Sequence, residues 1–355
     1  MRKGVIGIPG MKIGIDLGTT SILIYVRGKG IVAHEASIAA VDAASGDVLA
    51  LGNAAYQMIG RNPDCFEIVH PMRDGVISSF SVIHATIAHY IKKICGKRFL
   101  KPSVMICTPS SITSLERSAI LELAIAAGAG KACLVDEPLA AALGSGIDPS
   151  LRSGQLVVDI GGGTSDAAVF ISGYMAIARS TKVAGNAFDE AIVRYLRRER
   201  NVIVGQLTAE EIKKRTGSAQ KRVPEIAIQV RGQSYISRMP VQIEISSSEA
   251  HFAMRERLHD VLELIRSVLE ETPPEIAGDI CDRGIVLTGG GAMLQRLDAM
   301  FGKETGLPVR VAKNPVLCVA QGLGVLLEHQ SVLENSDYTF RTDDDIGEFE
   351  RNRNL

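Results

Sequence analysis

Two aspartates occupy the same place in two copies of one pattern. Asp16 lies in Ile13–Val26 (IGIDLGTTSILIYV) and Asp159 in Val157–Phe170 (VVDIGGGTSDAAVF). Each copy runs from an apolar strand through the aspartate to a turn of glycine and threonine, then into a second apolar run. Glycines let backbone N–H groups converge on an anion without side chains in the way. Thr19, Thr20, Ser21 and Thr164 add hydroxyl donors, and a carboxylate at a strand end can hold a divalent cation directly or through water. A phosphate chain carrying Mg²⁺ needs this set of groups. Two such turns facing each other would grip a triphosphate from opposite sides. A single Asp-x-Gly-x-Thr is common in purely structural hairpins. Two copies, with a third glycine turn at Gly289-Gly290-Gly291 after an apolar strand, weigh far more.

Around these turns the chain reads as alternating strands and helices. Ser78–Ile94 has helical periodicity, and Ser103–Pro109 is a buried strand closed by proline. Thr113 and Glu116 form a capping box for a helix that stops at Gly128. The strand Ala132–Val135 leads to Asp136-Glu137-Pro138 and another helix. After the second hairpin come a helix near Phe188–Arg200 and one capped by Thr208 and ended by Gly217. A long amphipathic helix then ends at Pro273-Pro274, and a strand Gly284–Gly291 precedes a helix from Met293. The pattern predicts an α/β protein of two duplicated halves with the ligand in the cleft between them. The expected limits are 11–150 (small subdomain 35–72) and 151–330 (small subdomain 186–250). A polar, acidic tail expected to be flexible fills 331–355.

Composition narrows the classes. The chain has 355 residues, 46% of them hydrophobic, enough for two cores. Its 39 basic and 40 acidic residues give no bulk attraction to nucleic acid. The six cysteines are scattered without C-x-x-C spacing, which speaks for reduced thiols rather than a zinc site. Arg2 and Lys3 precede an apolar stretch that Pro9 and Gly10 cut short of a signal core, and no apolar run reaches the ~18 residues of a membrane span. The chain therefore reads as cytoplasmic, with at most a peripheral membrane contact. Other phosphate motifs fail: Lys131 is followed by Ala132 where a Walker A loop needs Ser or Thr, and Ile125 stands where it needs glycine.

Together GIDLGTTS, HPMRDGVISSF, VDEPLAAALGSG, VVDIGGGTSDAAV, FDEAIVRYLRRERNVIVGQLTAEEIKK and IVLTGGGAML resemble the MreB family of bacterial actins, from about Met11 to Glu328. The resemblance implies an actin-like fold of two RNase H-like domains around a nucleotide cleft, binding ATP and Mg²⁺. It implies a slow ATPase that polymerises into paired protofilaments on the cytoplasmic membrane and organises cell-wall synthesis and rod shape with elongation proteins. Carried over, Asp16 and Asp159 would be the magnesium-side carboxylates. Thr19, Thr20, Ser21, Gly161, Gly162, Gly163 and Gly185 would clasp the phosphates. Glu210 and Lys213 would face the nucleoside, and Gly289, Gly290 and Gly291 would close on the adenine side. Glu137 would orient the attacking water, helped by Thr164. From the residues alone, Glu137 equally suits a helix N-terminus stabilised by the macrodipole.

This chain departs from the family pattern at Thr20-Ser21, at Ala184-Gly185-Asn186 and at Ser165-Asp166. The second exchange replaces a carboxylate beside the nucleotide with an amide, and all three bear on the hydrolysis rate. Phe99 and Leu100, flanked by Lys92, Lys93, Lys97, Arg98 and Lys101, resemble the family's membrane loop, assisted by Val5, Ile6 and Ile8. Such a basic-apolar loop suits an anionic bilayer. The helix Ser114–Ala127 resembles the element that pairs protofilaments, although Leu115, Ile120, Leu123 and Ile125 suit an ordinary core. Two other functions share the signature: a chaperone-type ATPase, which would need a substrate-binding domain after Glu328, and a small-molecule kinase, which would need a sugar pocket.

Overall fold

The computed structural model describes residues 10–60, 65–96, 100–148, 150–329 and 340–342. It divides into two units. The first comprises residues up to Thr108, Ile112–Asp136 and the chain from Ala320 onward; the second comprises Pro109–Ser111 and Glu137–Val319.

The first unit is built on a six-stranded sheet in the order Phe340–Thr342, Lys131–Asp136, Ser103–Thr108, Lys12–Leu17, Ser21–Val26, Gly30–Ala36. Lys12–Leu17 opens an antiparallel meander with the next two strands in sequence. On its other side it pairs in parallel with Ser103–Thr108, which in turn pairs in parallel with Lys131–Asp136. Phe80–Cys95 and Ser114–Ala126 supply the helices of this unit's core, where Ile13, Ile24, Ile83, Ile87, Ile106 and Ile120 are buried together. The Thr113–Glu116 capping box forms as its spacing predicts.

The second unit repeats that topology. Gln155–Ile160, Ser165–Ile171 and Tyr174–Thr181 form an antiparallel meander, and Gln155–Ile160 pairs in parallel with Ile285–Thr288, followed by Val309–Val311. Every residue of Gln155–Ile160 is buried, as expected for a central strand covered on both faces. The helix Ser247–Glu271 begins at a second capping box, Ser246 with Glu249, and buries Met254, Leu258, Val261 and Ile265 in the same core as Val158, Val169 and Phe188. The duplication expected from the two hairpins is thus present in five strands of each sheet, with Phe340–Thr342 added to the first.

Each unit carries a smaller three-stranded sheet. In the first, Val48–Leu51, Ala39–Asp42 and Phe66–Val69 surround Ile38, Ala40 and Ala55. In the second, Val202–Ile203, Ala227–Ser234 and Pro240–Ser246 pack near the helices Gly185–Glu199 and Gln206–Thr216.

Several boundaries differ from the sequence expectation, each for a physical reason. The units exchange at Asp136/Glu137 rather than near residue 150, because Glu137–Gly144 packs on Gln155–Ile160 and Gly144 lies against the Cys318 backbone. The helix Cys318–Glu328 crosses back: Leu323 packs on Gly14, Gly324 on the Tyr25 ring, and Glu328 pairs with Arg27 at 3.0 Å. The helix expected from Thr208 starts at Gln206 with Gly205 as its cap, and the one expected from Met293 starts at Leu297 after a 3₁₀ turn, Gly290–Met293. Most of 331–355 lies outside the described residues, but Phe340–Thr342 is not loose tail: it pairs antiparallel with Lys131–Cys133 and covers an otherwise open sheet edge. Among the described residues no helix is long and apolar enough to cross a membrane.

Candidate functional site

The two hairpin turns close alike. The Gly18 amide donates to the Ser21 carbonyl at 3.1 Å, and the Gly161 amide donates to the Thr164 carbonyl at 2.9 Å. The N–H groups between them, of Thr19, Thr20, Gly162 and Gly163, take no partner among the described hydrogen bonds. Each turn therefore presents main-chain donors, the requirement for an anion site. In the first unit Asp16 is buried in register opposite Leu23, Thr19 is buried, Thr20 is exposed, and Ser37 N–H anchors the Thr20 carbonyl at 2.9 Å.

In the second unit the turn is held from behind. Helix Gly185–Glu199 lacks a side-chain cap; instead its first amides, Gly185 and Asn186, donate to the carbonyls of Gly161 and Gly162 at 3.1 and 2.8 Å. Gly185, expected to touch phosphate itself, thus shapes the glycine turn through its own amide. Its carbonyl accepts from Lys213 Nζ at 2.8 Å, and the same nitrogen donates to Asp189 Oδ2 at 2.8 Å. Asp189 is buried, its Oδ1 has no hydrogen-bond partner, and burial pushes its carboxyl up to about 6 despite Lys213. Glu210, the other nucleoside-side residue expected from sequence, pairs with Lys214 at 2.6 Å one turn along the same helix.

Asp159 is held in place by its neighbours on two strands. Thr288 Oγ1 donates to its Oδ1 at 2.7 Å, and Asp166 stands opposite it in the antiparallel register. Burial first, and the neighbouring Asp166 charge after it, push the Asp159 carboxyl up to about 6, with the Thr288 hydrogen bond working against both. Asp166 itself accepts from Ser110 Oγ at 2.8 Å. Gly289 follows Thr288 with φ of 80°, and a Cβ there would lie 2.3 Å from the Ile160 carbonyl; one at Gly291 would meet the Ile160 side chain at 2.3 Å. The third glycine turn is therefore pressed against the end of the Asp159 strand. Glu137 and Thr164 are buried in this unit, Glu137 as the first residue of its helix.

The structure thus gathers Asp159, the Gly161–Gly163 turn, Thr164, Gly185, Lys213 and Gly289–Gly291 in one unit, and the Asp16 hairpin in the other. Sequence reasoning missed Thr288, Asp189 and Ser110. Thr288 had a signal, since it precedes the glycine turn at the end of a buried strand. Asp189 and Ser110 had none, because their partners are distant in sequence.

Of the membrane loop, Phe99, Lys97 and Arg98 lie outside the described residues, as do Val5, Ile6 and Ile8; Leu100 is 56% exposed. On Ser114–Ala126, Ile120 is buried as core, but Leu115 in the first turn is 79% exposed.

Two units of one topology, each opened by an acidic Gly/Thr hairpin, are the arrangement of the actin-like fold. A family model described as MreB/Mbl protein matches residues 10–335, and the chain belongs to that family. It is 44% identical over 322 residues to the cell shape-determining protein Mbl of Bacillus subtilis (strain 168), covering 90% of this chain and 97% of Mbl. It is 42% identical over 334 residues to the cell shape-determining protein MreB of Escherichia coli (strain K12), covering 92% and 96%. The crystal structure of MreB5 of Spiroplasma citri bound to AMPPNP superposes with a TM-score of 0.88 at 36% identity, covering 93% of this chain and 99% of that one. The same protein bound to ADP gives the same score.

Proposed function

We propose that this protein is an actin-like cytoskeletal ATPase that assembles into filaments at the membrane and organises cell-wall synthesis and cell shape. The observation that carries this reading is the hairpin written twice with its inner amides left open, in a chain whose relatives are cell shape-determining proteins and include one bound to AMPPNP and to ADP. The chaperone and sugar-kinase readings are not favoured, since the relatives at 42–44% identity are cell-shape proteins.

In this reading Thr19, Thr20, Ser21 and Gly161–Gly163 take the phosphates through amides and hydroxyls. Lys213 fixes the loop at Gly185 and, with Glu210, faces the nucleoside; Gly289–Gly291 border the base. Asp16 and Asp159 would hold Mg²⁺. Among the described residues no cluster of three or more ligating side chains forms, which fits an ion bound by one or two carboxylates with phosphate and water supplying the rest. A buried Asp159 beside Asp166 has an unfavourable charge that such a cation would relieve. Bound, the ion neutralises phosphate charge. Glu137 orients the attacking water and Thr164 supports it, so positioning does most of the catalysis. Asn186 in place of a carboxylate removes one negative charge near the nucleotide and bears on the hydrolysis rate. Leu100, with Phe99, would seat the protein on anionic lipid, and copies of the chain would associate through filament contacts that include Leu115.

The test is ATP binding and turnover in Glu137→Gln. The expected variant binds ATP as the parent does and loses turnover by about 10²-fold or more. A parent protein that binds no nucleotide would overturn the reading, and undiminished turnover in E137Q would remove Glu137 from it.

A further inference from the structure

The second unit bears a depression of about 620 Å³ that the nucleotide chemistry does not use. Its walls are the last turns of Gly185–Glu199 and the first half of Ser247–Glu271, with Tyr235 closing one side. Five arginines line it (Arg194, Arg197, Arg198, Arg255 and Arg257) against a single acidic residue, Glu256. Part of this charge has an internal explanation. Arg194 pairs with Glu190, Arg198 with Glu199 and Arg257 with Asp260, and cations at a helix C-terminus are favoured by its dipole.

The remainder does not. Arg197 lies 4.8 Å from the centre of the Tyr235 ring and donates to its hydroxyl at 3.3 Å, and Arg255 lies 5.3 Å from the centre of Phe252; outside the lining, Arg238 lies 5.5 Å from the Tyr235 ring, and none of the three makes an ion pair among the described residues. A guanidinium has five N–H donors, so stacking on a ring, with one hydrogen bond to Tyr235 in the case of Arg197, leaves donors for a carboxylate. The rings are themselves open: Phe252 is 52% exposed, and Ile236 and Met239 beside Tyr235 are 78% and 63% exposed. Exposed aromatic and aliphatic groups set among unpaired arginines are the composition of an interface core. Several arginines and open apolar side chains share this surface, so the match is to several carboxylates interleaved with apolar side chains.

This chain contains such a segment. Asp343, Asp344, Asp345, Glu348 and Glu350 fall within eight residues that hold no basic side chain, with Ile346 and Phe349 between them. The segment starts directly after Thr342, whose strand is fixed on Lys131–Asp136. The eight residues 343–350 extend at most about 28 Å from there, enough to leave their own sheet and reach a neighbouring molecule. We infer that the Arg197–Tyr235–Phe252–Arg255 depression docks the acidic segment Asp343–Glu350 of a second copy of this chain. The dock rests on the self-association proposed above and gives it a charge-steered, salt-sensitive contact.

The experiment mixes two full-length proteins. One carries a photoreactive phenylalanine at position 349; the other is uniformly ¹⁵N-labelled, so that light-to-heavy cross-links are intermolecular. The expected product joins residue 349 to a heavy peptide from 191–201, 233–239 or 252–257. R197E/R255E in the heavy copy is expected to cut the yield about tenfold, and D343K/D344K/D345K in the light copy is expected to restore it, which misfolding would not. Cross-links confined to one copy, attached elsewhere on the surface, or insensitive to R197E/R255E would overturn the dock. Filaments without this cross-link overturn the dock alone; the cross-link without filaments overturns the filament reading and leaves the dock standing.

Discussion

Thr288 Oγ1 donates to Asp159 Oδ1 at 2.7 Å, so that the glycine turn after Thr288 and the glycine turn after Asp159 are tied at their roots. The two residues are also neighbours in the parallel register of their strands. A carboxylate in this position is buried, faces Asp166 and has its carboxyl pushed up to about 6.

The first prediction concerns the pH dependence of that carboxylate. Its folded pKa of about 6 exceeds the ordinary 3.8, so the ionised form opposes folding. The penalty is absent below about pH 4, grows as pH rises, and is complete above about pH 6, where it reaches ~1–3 kcal/mol. Asp159→Asn is therefore expected to unfold at a higher temperature than the parent above pH 6 without nucleotide, with the two curves meeting near pH 4. The same variant is expected to lose Mg²⁺-dependent ATP binding by tenfold or more. Calorimetry across pH and a nucleotide titration check both.

The second separates backbone geometry from chemistry. Gly289→Ala places a Cβ 2.3 Å from the Ile160 carbonyl in a residue at φ of 80°, whereas a Cβ at Gly290 meets nothing within 4 Å. G289A is expected to cost about 2 kcal/mol or more in a denaturant melt, and G290A less than about 1 kcal/mol. Equal effects would show that the turn is not pressed on the Asp159 strand.

These two residues also mark how far the sequence carries. The hairpins were legible because a strand, an aspartate and a Gly/Thr turn are all local, and so was the Thr113–Glu116 cap, which depends on residues three apart. The start of Gly185–Glu199 was not, because its first amides are satisfied by Gly161 and Gly162, more than twenty positions away, and no capping side chain announces it. The strands Gly30–Ala36 and Tyr174–Thr181 were missed because both are half-exposed third members of meanders with mixed composition. The return of Ala320–Glu328 to the first unit is written only in Gly14 and Gly324, whose meaning appears once Leu323 and Tyr25 lie against them. Asp189 could not be chosen from among many acidic residues until Lys213 was seen beside it.

A third prediction addresses the lipid contact. Replacing Phe99 and Leu100 together with serine is expected to release the protein from anionic vesicles while leaving its unfolding temperature within about 2 °C of the parent, since Leu100 is 56% exposed and contributes little to the core. Vesicle co-sedimentation at matched salt is the check. Unchanged binding would move the membrane contact elsewhere.

The most direct test of the account is electron microscopy of the full-length protein on an anionic lipid monolayer, with ATP and Mg²⁺ and without nucleotide. The account predicts paired straight filaments with ATP and Mg²⁺, and their loss in Asp159→Asn. Discrete particles under every condition, from a protein that still binds ATP, would contradict it.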